Sequence, residues 1–245
     1  MNIRLFSQLS IASLLLLLSG CATDEAYDKA GAEKQYDAAK QKINLGQYNA
    51  AAFDLEKFSA TFPYSSYATK GELLRIFSAY RGGEYTLTET LSESFIERHP
   101  KHKHIDYAKY MLAMSYYMQR STKEHDQTHN KKAIESFERL IREHPTSKYA
   151  KDVQPRIQKL YNSIGEHELL VGKYYFDQDR YVAAANRFQK VVKEYQTTSA
   201  IEESLYYLAA SYAEMGLSKD ARQMALLLRH NYPDSRWSSK AKDFL

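Results

Sequence analysis

The sequence of 245 residues repeats one pattern five times, and this repetition constrains its fold more than any other feature does. Each copy ends at a closing position, usually a proline, and the closing positions follow one another at intervals of 37, 45, 51 and 37 residues: Pro63, Pro100, Pro145, Gln196 and Pro233. Repeats of this length are typical of proteins in which each unit buries its apolar face against the next one. The pattern therefore predicts a stack of similar units.

Three positions in each copy share one helical face. Twelve residues before the closing position lies a small or short side chain: Ala51, Thr88, Ala133, Ala184 and Ala221. Eight residues before it lie Leu55, Ser92, Phe137, Phe188 and Ala225, and five before it lie Phe58, Phe95, Leu140, Val191 and Leu228. Offsets of four and three residues return to the same side of a helix, so we expect these side chains to be buried where two helices cross. A second periodic segment precedes this helix, and each unit is therefore predicted to contain helix A, a turn and helix B.

Glycines mark the turn between the A and B helices in three copies. Gly46, Gly83 and Gly216 stand where a left-handed backbone is most easily adopted by glycine. The first copy resembles the tetratricopeptide repeat at six positions: Gly46, Tyr48, Ala51, Leu55, Phe58 and Pro63. This resemblance implies an all-α fold, a right-handed α-solenoid of five helix-turn-helix repeats with a concave face lined by the A helices.

The repeats are predicted to form one domain over residues 33–245. Their approximate ranges are 33–65, 66–102, 103–147, 148–198 and 199–235. Residues 236–245 carry Trp237, Ala241 and Phe244 at helical spacing, which predicts a short C-terminal helix that caps the exposed end of the solenoid.

Three features depart from the regular pattern. Pro155 lies early in the long A helix of the fourth repeat, where it is expected to start or kink the helix. Gln196 replaces the closing proline of the same repeat, which leaves the shape of that closing turn open. Residues 120–131 are polar without periodicity and predict an exposed loop between the A and B helices of the third repeat.

The first 20 residues predict a secretory signal peptide. Arg4 supplies a positive charge, and residues 9–18 form an apolar run that is too short to span a bilayer. Cys21, the only cysteine, follows directly after Leu18-Ser19-Gly20. This arrangement resembles the bacterial lipoprotein signal, which implies removal of residues 1–20 and attachment of lipid to Cys21. The alternative is a free cysteine after an ordinary signal peptide.

The lipoprotein signal implies a place for the mature chain. Ala22 and Thr23 follow the cysteine without an aspartate, as in lipoproteins sorted to the outer membrane, so we expect anchoring at its periplasmic face. Two or more acyl chains hold a protein durably in a membrane. Residues 21–32 are small and polar and predict a flexible, lipidated tether. A single cysteine permits no disulfide within the chain, so its stability must come from packing.

Composition and motifs argue against several functions. The 34 basic and 30 acidic residues nearly balance, which gives no support for nucleic-acid binding. Histidines cluster at positions 99, 102 and 104 and again at 125 and 129, but no cysteine or suitably spaced carboxylate accompanies them. We therefore interpret them as exposed turn residues and expect no metal site. Phosphate-binding glycine loops and hydrolase motifs are absent from the sequence, so no catalytic residues are assigned.

Four stretches of the sequence resemble one particular family among the repeat proteins. Residues 62–67, 99–111, 168–175 and 181–188 closely resemble the BamD family, the lipoproteins of the outer-membrane β-barrel assembly machinery. The likeness runs in order from Cys21 through the fifth repeat. Its most specific parts are Ile105-Asp106-Tyr107 and the Ala-x-Asn-Arg sequence that ends in Asn186-Arg187, since helix packing alone does not require them. Gly172 departs from the family, which usually has alanine there.

Membership of that family implies a scaffold without enzymatic activity and without a cofactor other than the covalent lipid. It implies that the C-terminal repeats bind a POTRA domain of a BamA-like, barrel-forming subunit, and that other Bam lipoproteins are partners. The N-terminal repeats are expected to receive unfolded outer-membrane β-barrel proteins. The lipid on Cys21 would contact the inner leaflet of the outer membrane.

The resemblance also suggests site residues. Asn186 and Arg187 match a pair in the fourth repeat that faces the partner, although Arg187 could instead form an ion pair within the chain. Tyrosine is frequent, with 21 copies, and suits peptide recognition because it offers a large contact area at low entropic cost. The candidate substrate-peptide pocket consists of Tyr64, Tyr67, Tyr107 and Tyr110. The alternative is that tyrosines mainly pack helices together.

Two other functions remain open at this point. A periplasmic tetratricopeptide lipoprotein that organises cell-wall synthesis enzymes would share the sequence Tyr232-Pro233-Asp234-Ser235 but lack the Ile-Asp-Tyr and Ala-x-Asn-Arg motifs. An enzyme would have to use the histidine clusters.

Overall fold

The computed structural model describes residues 30–245. The predicted signal peptide, Cys21 and most of the predicted tether lie outside these residues. The described chain divides into two compact units, one ending at Ser115 and the other comprising Tyr116–Leu245. Throughout the described part the regular structure is helical, without a strand, and the predicted all-α fold of helix-turn-helix repeats is confirmed.

The helices follow one another in antiparallel pairs. In chain order the first six are α1 (residues 30–44), α2 (Tyr48–Asp54), α3 (Phe58–Thr61), α4 (Ala68–Arg81), α5 (Tyr85–Arg98) and α6 (Ile105–Met118). They continue as α7 (Thr128–Glu143), α8 (Val153–Phe176), α9 (Tyr181–Glu194), α10 (Ile201–Glu214), α11 (Ser218–Asn231) and α12 (Arg236–Lys240). Short 3₁₀ turns cover Lys148–Ala150 and Ala241–Phe244. The B helix of the first pair is divided into α2 and α3.

The core is formed by the residues that the sequence places on one face of each B helix. All fifteen positions at twelve, eight and five residues before the closing residues are at most 3% exposed. Phe58, Phe95, Phe137 and Phe188 are fully buried among them. Burial of one such side chain contributes about 1.5–3 kcal/mol, so this face is the main source of stability in a chain without disulfides.

Four A-to-B turns share one hydrogen-bonded geometry. Gly46, Gly83 and Gly216 adopt φ angles of 75°, 82° and 75°, which confirms the left-handed turns predicted for them. In the fourth pair the same position is held by Asp179, with φ 58°. Its amide donates to Phe176 O at 3.0 Å and the next amide, of Arg180, donates to Tyr175 O at 3.0 Å, a Schellman pattern. Aspartate tolerates this conformation better than most residues, which explains why the missing glycine did not alter the turn.

The two irregular positions of the fourth repeat are accommodated without distortion. Gln196 lies in a closing turn in which Thr198 N donates to Tyr195 O at 3.1 Å, and its own Nε2 donates to Val192 O at 2.9 Å. Proline is favoured in such a turn but not required. Pro155 is the third residue of α8, where a backbone N–H would have no partner within the helix. It therefore starts the helix and does not kink it.

The C-terminal segment packs on the last helix pair. Trp237 and Ala241 are 8% and 1% exposed and join a cluster with Leu205 and Leu228. Ser235 Oγ accepts a hydrogen bond from Trp237 N at 3.1 Å and begins α12. This agrees with the capping helix predicted for the end of the chain.

The loop of the third repeat differs from the exposed loop predicted over 120–131. Helix α7 already begins at Thr128, so the loop is shorter than expected. Gln127 and Asn130 are 4% and 0% exposed. The sequence suggested an exposed segment because these side chains are polar, but they are buried and bind backbone groups of the loop.

Among the helices in residues 30–245, none has both the length and the apolar character that crossing a membrane would require.

Candidate protein-binding site

Arg187 and Glu168 face each other across the α8–α9 pair. The turn at Asp179 reverses the chain, and this brings the middle of α9 against the C-terminal half of α8. Arg187 Nη1 lies 3.0 Å from Glu168 Oε2, and Lys190 Nζ lies 2.6 Å from Glu168 Oε1. Because Arg187 and Lys190 are three residues apart on α9, both reach the same carboxylate.

The carboxylate of Glu168 is buried and remains charged. Only 4% of its side chain is exposed. Burial alone would raise its pKa, but the hydrogen bonds and positive charges of Lys190 and Arg187 outweigh this effect and hold the pKa below its usual value. Lys190 has a raised pKa: burial would lower it, and the bond to Glu168 overcomes that effect. One buried anion thus orients two cations of α9.

Arg187 is also accessible from outside. Its side chain is 41% exposed although one edge of the guanidinium binds Glu168. Asn186 is exposed and lines a shallow groove of about 460 Å³ together with Tyr181, Val182 and Met215. Val182 is 66% exposed in the same groove. Helix α9 thus carries an accessible, ion-paired arginine and, through its neighbour Asn186, the edge of a partly apolar groove, and protein interfaces often combine such features.

The ion pair of Arg187 with Glu168 affects the prediction that Asn186 and Arg187 bind a partner. The structure shows the alternative noted for Arg187, an ion pair within the chain, and 41% of the arginine side chain stays exposed. A role for Asn186 and Arg187 in partner binding stays a prediction. Glu168 was not singled out from the sequence, although it stands directly before the apolar run Leu169-Leu170-Val171, and an acid that is buried with such a run is almost always paired.

The four tyrosines of the predicted substrate pocket have different environments, all in the first unit. Tyr64 is 95% exposed. Tyr67 packs on Tyr36, with ring centroids 5.2 Å apart, and its hydroxyl donates to Glu33 Oε1 at 2.9 Å, which raises the pKa of Tyr67. Tyr107 and Tyr110 are half-buried.

The structure does not place these tyrosines in one hydrophobic cluster. Tyr67 packs on the cluster that contains Phe58, whereas Tyr107 and Tyr110 pack on the cluster that contains Phe95. Helix packing therefore accounts for much of the surface of three of the four tyrosines. Their role as a peptide pocket stays a prediction, with Tyr64 as the most accessible member.

The histidines near the end of α5 form a small network. His99 Nε2 lies 3.2 Å from Glu72 Oε2, and Arg98 Nη1 lies 2.9 Å from the other oxygen of Glu72. Burial and the neighbouring His104 lower the pKa of His102. Within residues 30–245, no three histidine, cysteine or acidic side chains converge as metal ligands would.

Paired helices with left-handed turns and a regular buried face define a helical repeat protein of the tetratricopeptide type. Residues 28–228 match the YfiO family, described as an outer membrane lipoprotein. The chain belongs to this family.

Curated relatives extend the match over nearly the whole chain. The outer membrane protein assembly factor BamD of Neisseria meningitidis serogroup A is 31% identical over 94% of this chain and 92% of its own. BamD of Rickettsia prowazekii is 32% identical over 92% of this chain and 91% of its own. Among solved structures, the TPR2AB domain of yeast Sti1 aligns with a TM-score of 0.45 and 16% identity, covering 87% of this chain and 82% of that one. The BamD resemblance read from the sequence is confirmed by the relatives.

Proposed function

We propose that the protein is a non-enzymatic scaffold of the β-barrel assembly complex at the periplasmic face of the outer membrane. The observation that carries this proposal is membership of an outer membrane lipoprotein family over residues 28–228, with relatives that are named outer membrane protein assembly factors. The helical repeats are consistent with it, because stacked helix pairs present long surfaces for other proteins.

The partner at the α8–α9 site is a POTRA domain of the barrel-forming subunit. Support comes from Arg187, whose guanidinium is held by Glu168 through Nη1 while 41% of the side chain is exposed. A guanidinium that is already oriented loses less entropy when it binds a carboxylate of the partner. The groove lined by Asn186, Val182 and Met215 can receive an apolar side chain of the same partner. Other lipoproteins of the complex are further partners.

Unfolded outer-membrane proteins are the substrates, and the first unit receives them. Tyr64 supports this role, because an almost fully exposed aromatic ring is a ready contact for an extended chain. Tyr67, Tyr107 and Tyr110 would add their exposed edges. The chain provides binding surfaces and takes no part in a chemical reaction.

Lipid on Cys21 anchors the protein. The family description as a lipoprotein supports this, together with the signal that precedes the cysteine. Each buried methylene of an acyl chain contributes about 0.8 kcal/mol, so two or more chains hold the protein at the membrane.

Depletion of the protein tests this function. We expect a loss of β-barrel proteins from the outer membrane while the amount of cross-linked cell wall stays unchanged. The full-length protein should restore barrel levels, and a variant with Cys21→Ser should restore them poorly because it lacks the anchor. Normal barrel levels with a disturbed cell wall would overturn the proposal in favour of a role in cell-wall synthesis.

A further inference from the structure

The loop between α6 and α7 is held in one shape by buried polar side chains. Asn130, which is fully buried, accepts a hydrogen bond from Ser121 N and donates to Ser121 O, both at 3.0 Å. Its amide also donates to Gln127 Oε1 at 2.6 Å. Gln127 Nε2 donates to Thr122 O at 2.8 Å and to His125 O at 2.7 Å. The loop backbone is therefore bound at four points from α7 and the residue that precedes it.

Helix α8 holds the same loop from the other side. His167 Nδ1 donates to Lys123 O at 2.7 Å, and Ser163 Oγ donates to Ser121 O at 3.2 Å. A polar segment fixed at this many backbone groups loses little further entropy when a ligand binds beside it. The loop and α8 together form the walls of a preorganised surface.

Two adjoining cavities lie along these walls, within the second unit. The larger has a volume of about 670 Å³ and is lined by Arg120, Lys123 and Lys159, with Met118 and Leu160 as its apolar part. The smaller, of about 500 Å³, shares Lys159 with it. Its other lining residues are Tyr117, Lys151, Asp152, Pro155 and Arg156. We call the two cavities together the basic groove.

Positive charge dominates the basic groove. Its lining contains five cations against three acids, an excess of two positive charges: Arg120, Lys123, Lys151, Arg156 and Lys159 against Glu124, Asp152 and Glu166. Lys123 lies 3.8 Å from Glu166, which partly neutralises that acid. The other four cations lie within ion-pair distance of no carboxylate in the described chain. Four positive charges thus lack a counter-ion.

Two of these cations are oriented by one aromatic ring. The guanidinium of Arg120 lies 4.6 Å from the centroid of the Tyr117 ring, and that of Arg156 lies 5.3 Å from it. Arg120 Nη1 also donates to Tyr117 O at 3.0 Å. Tyr117 is only 8% exposed, so its ring is a fixed support. Cation–π contacts of this kind hold the planar groups in place and leave their outer edges for a ligand.

We propose that the basic groove binds an extended acidic segment of a protein partner. Carboxylates match the planar forks of Arg120 and Arg156, and Lys159 lies where the two cavities meet, so that acids along one peptide would meet several cations in turn. The concave shape disfavours a flat membrane surface as the ligand. The basic groove shares no residue with the groove beside Asn186, and the proposal does not depend on the function assigned to that site.

A binding measurement with charge-matched variants tests the proposal. The probe is a fluorescein-labelled peptide of alternating glutamate and serine, about ten residues and roughly 33 Å long when extended. Fluorescence anisotropy is measured with the full chain purified in detergent. Arg156→Gln with Lys159→Gln removes two groove cations, and Lys219→Gln with Arg222→Gln removes two exposed cations of α11 as a matched control. All four residues are at the surface or half-buried, and circular dichroism checks that each variant keeps its helices.

We expect the groove variant to bind the peptide about tenfold more weakly and the control variant to bind within about twofold of the unmodified protein. A peptide of alternating glutamine and serine should not bind. Equal weakening in both variants would overturn the proposal, because binding would then be a general effect of charge. Vesicles that contain phosphatidylglycerol provide the last comparison: binding to them that depends on Arg156 and Lys159, without peptide binding, would overturn it in favour of a membrane contact.

Discussion

Arg187 Nη1 lies 3.0 Å from Oε2 of the buried Glu168, so the residue assigned to partner binding is also part of the internal structure of the α8–α9 pair. Lys190 binds the other oxygen of the same carboxylate. A substitution of Arg187 is therefore expected to affect the proposed interface and the buried ion pair together. Experiments at this site have to separate the two effects.

Substitution Glu168→Gln is expected to destabilise the fold by about 1–3 kcal/mol, because it leaves Arg187 and Lys190 without their shared anion. The loss should be below that of a fully buried pair, since both cations are partly exposed. Chemical denaturation followed by circular dichroism measures it. Glu194→Gln removes an exposed acid at the end of the facing helix α9 and is the control, with little expected change. Equal stabilities of the two variants would show that the buried pair contributes nothing.

The same carboxylate predicts a dependence of stability on pH. The folded state holds the pKa of Glu168 below its unfolded value of about 4.3, so its contribution is fully present above that value. The contribution is lost as the pH falls through the lower, folded-state pKa. Denaturation at a series of pH values should show a constant stability difference between the unmodified protein and Glu168→Gln above about pH 5.5, and a shrinking one below about pH 4.3. A difference that grows on acidification would contradict the assigned direction.

Substitution Gly172→Ala should destabilise the protein, although alanine is the better helix former by about 1 kcal/mol. A Cβ atom at this position would lie 2.5 Å from Phe188 Cε1, and Phe188 is fully buried against Tyr207. Overpacking of this kind costs about 1–3 kcal/mol and outweighs the helix preference. In a thermodynamic cycle, Gly172→Ala combined with Phe188→Leu should cost less than the sum of the single changes. Strictly additive costs would mean that the two residues do not clash.

Asp179 offers a test of backbone strain. Its left-handed conformation, with φ 58°, suits glycine better, so Asp179→Gly should be more stable than Asp179→Ala by about 1 kcal/mol. Both changes remove the hydrogen bond that Tyr181 OH donates to Asp179 Oδ1 at 2.7 Å, and that loss cancels in the comparison. This bond raises the pKa of Tyr181 to about 12, and both variants should lower it towards 10, as followed by nuclear magnetic resonance. Equal stabilities of the two variants would argue against strain at this turn.

The sequence predicted what depends on spacing along one helix and missed what depends on contacts between helices. Ala51 and Phe58 lie on one face because of their offset, and Gly46 has a backbone preference of its own, so local rules were sufficient for them. The pair of Glu168 and Arg187 joins residues 19 apart across a turn, and no local rule selects that partner. Asp179 was missed because a left-handed aspartate has a weaker signature than glycine. Asn130 was assigned to an exposed loop because a polar residue in a sequence is normally expected at the surface. Its burial depends on hydrogen bonds to Ser121 and Gln127, which only the structure shows.

Affinity capture from detergent-solubilised envelopes tests the central claim most directly. Tagged full-length protein should recover a barrel-forming subunit with POTRA domains. The control variant Lys193→Ala removes an exposed cation of α9, the helix that carries Arg187, and should recover as much. Arg187→Ala should recover about tenfold less, with helicity unchanged, as expected for one charge-assisted contact at a partly desolvated site. Recovery of no barrel-forming subunit by the unmodified protein would contradict the account.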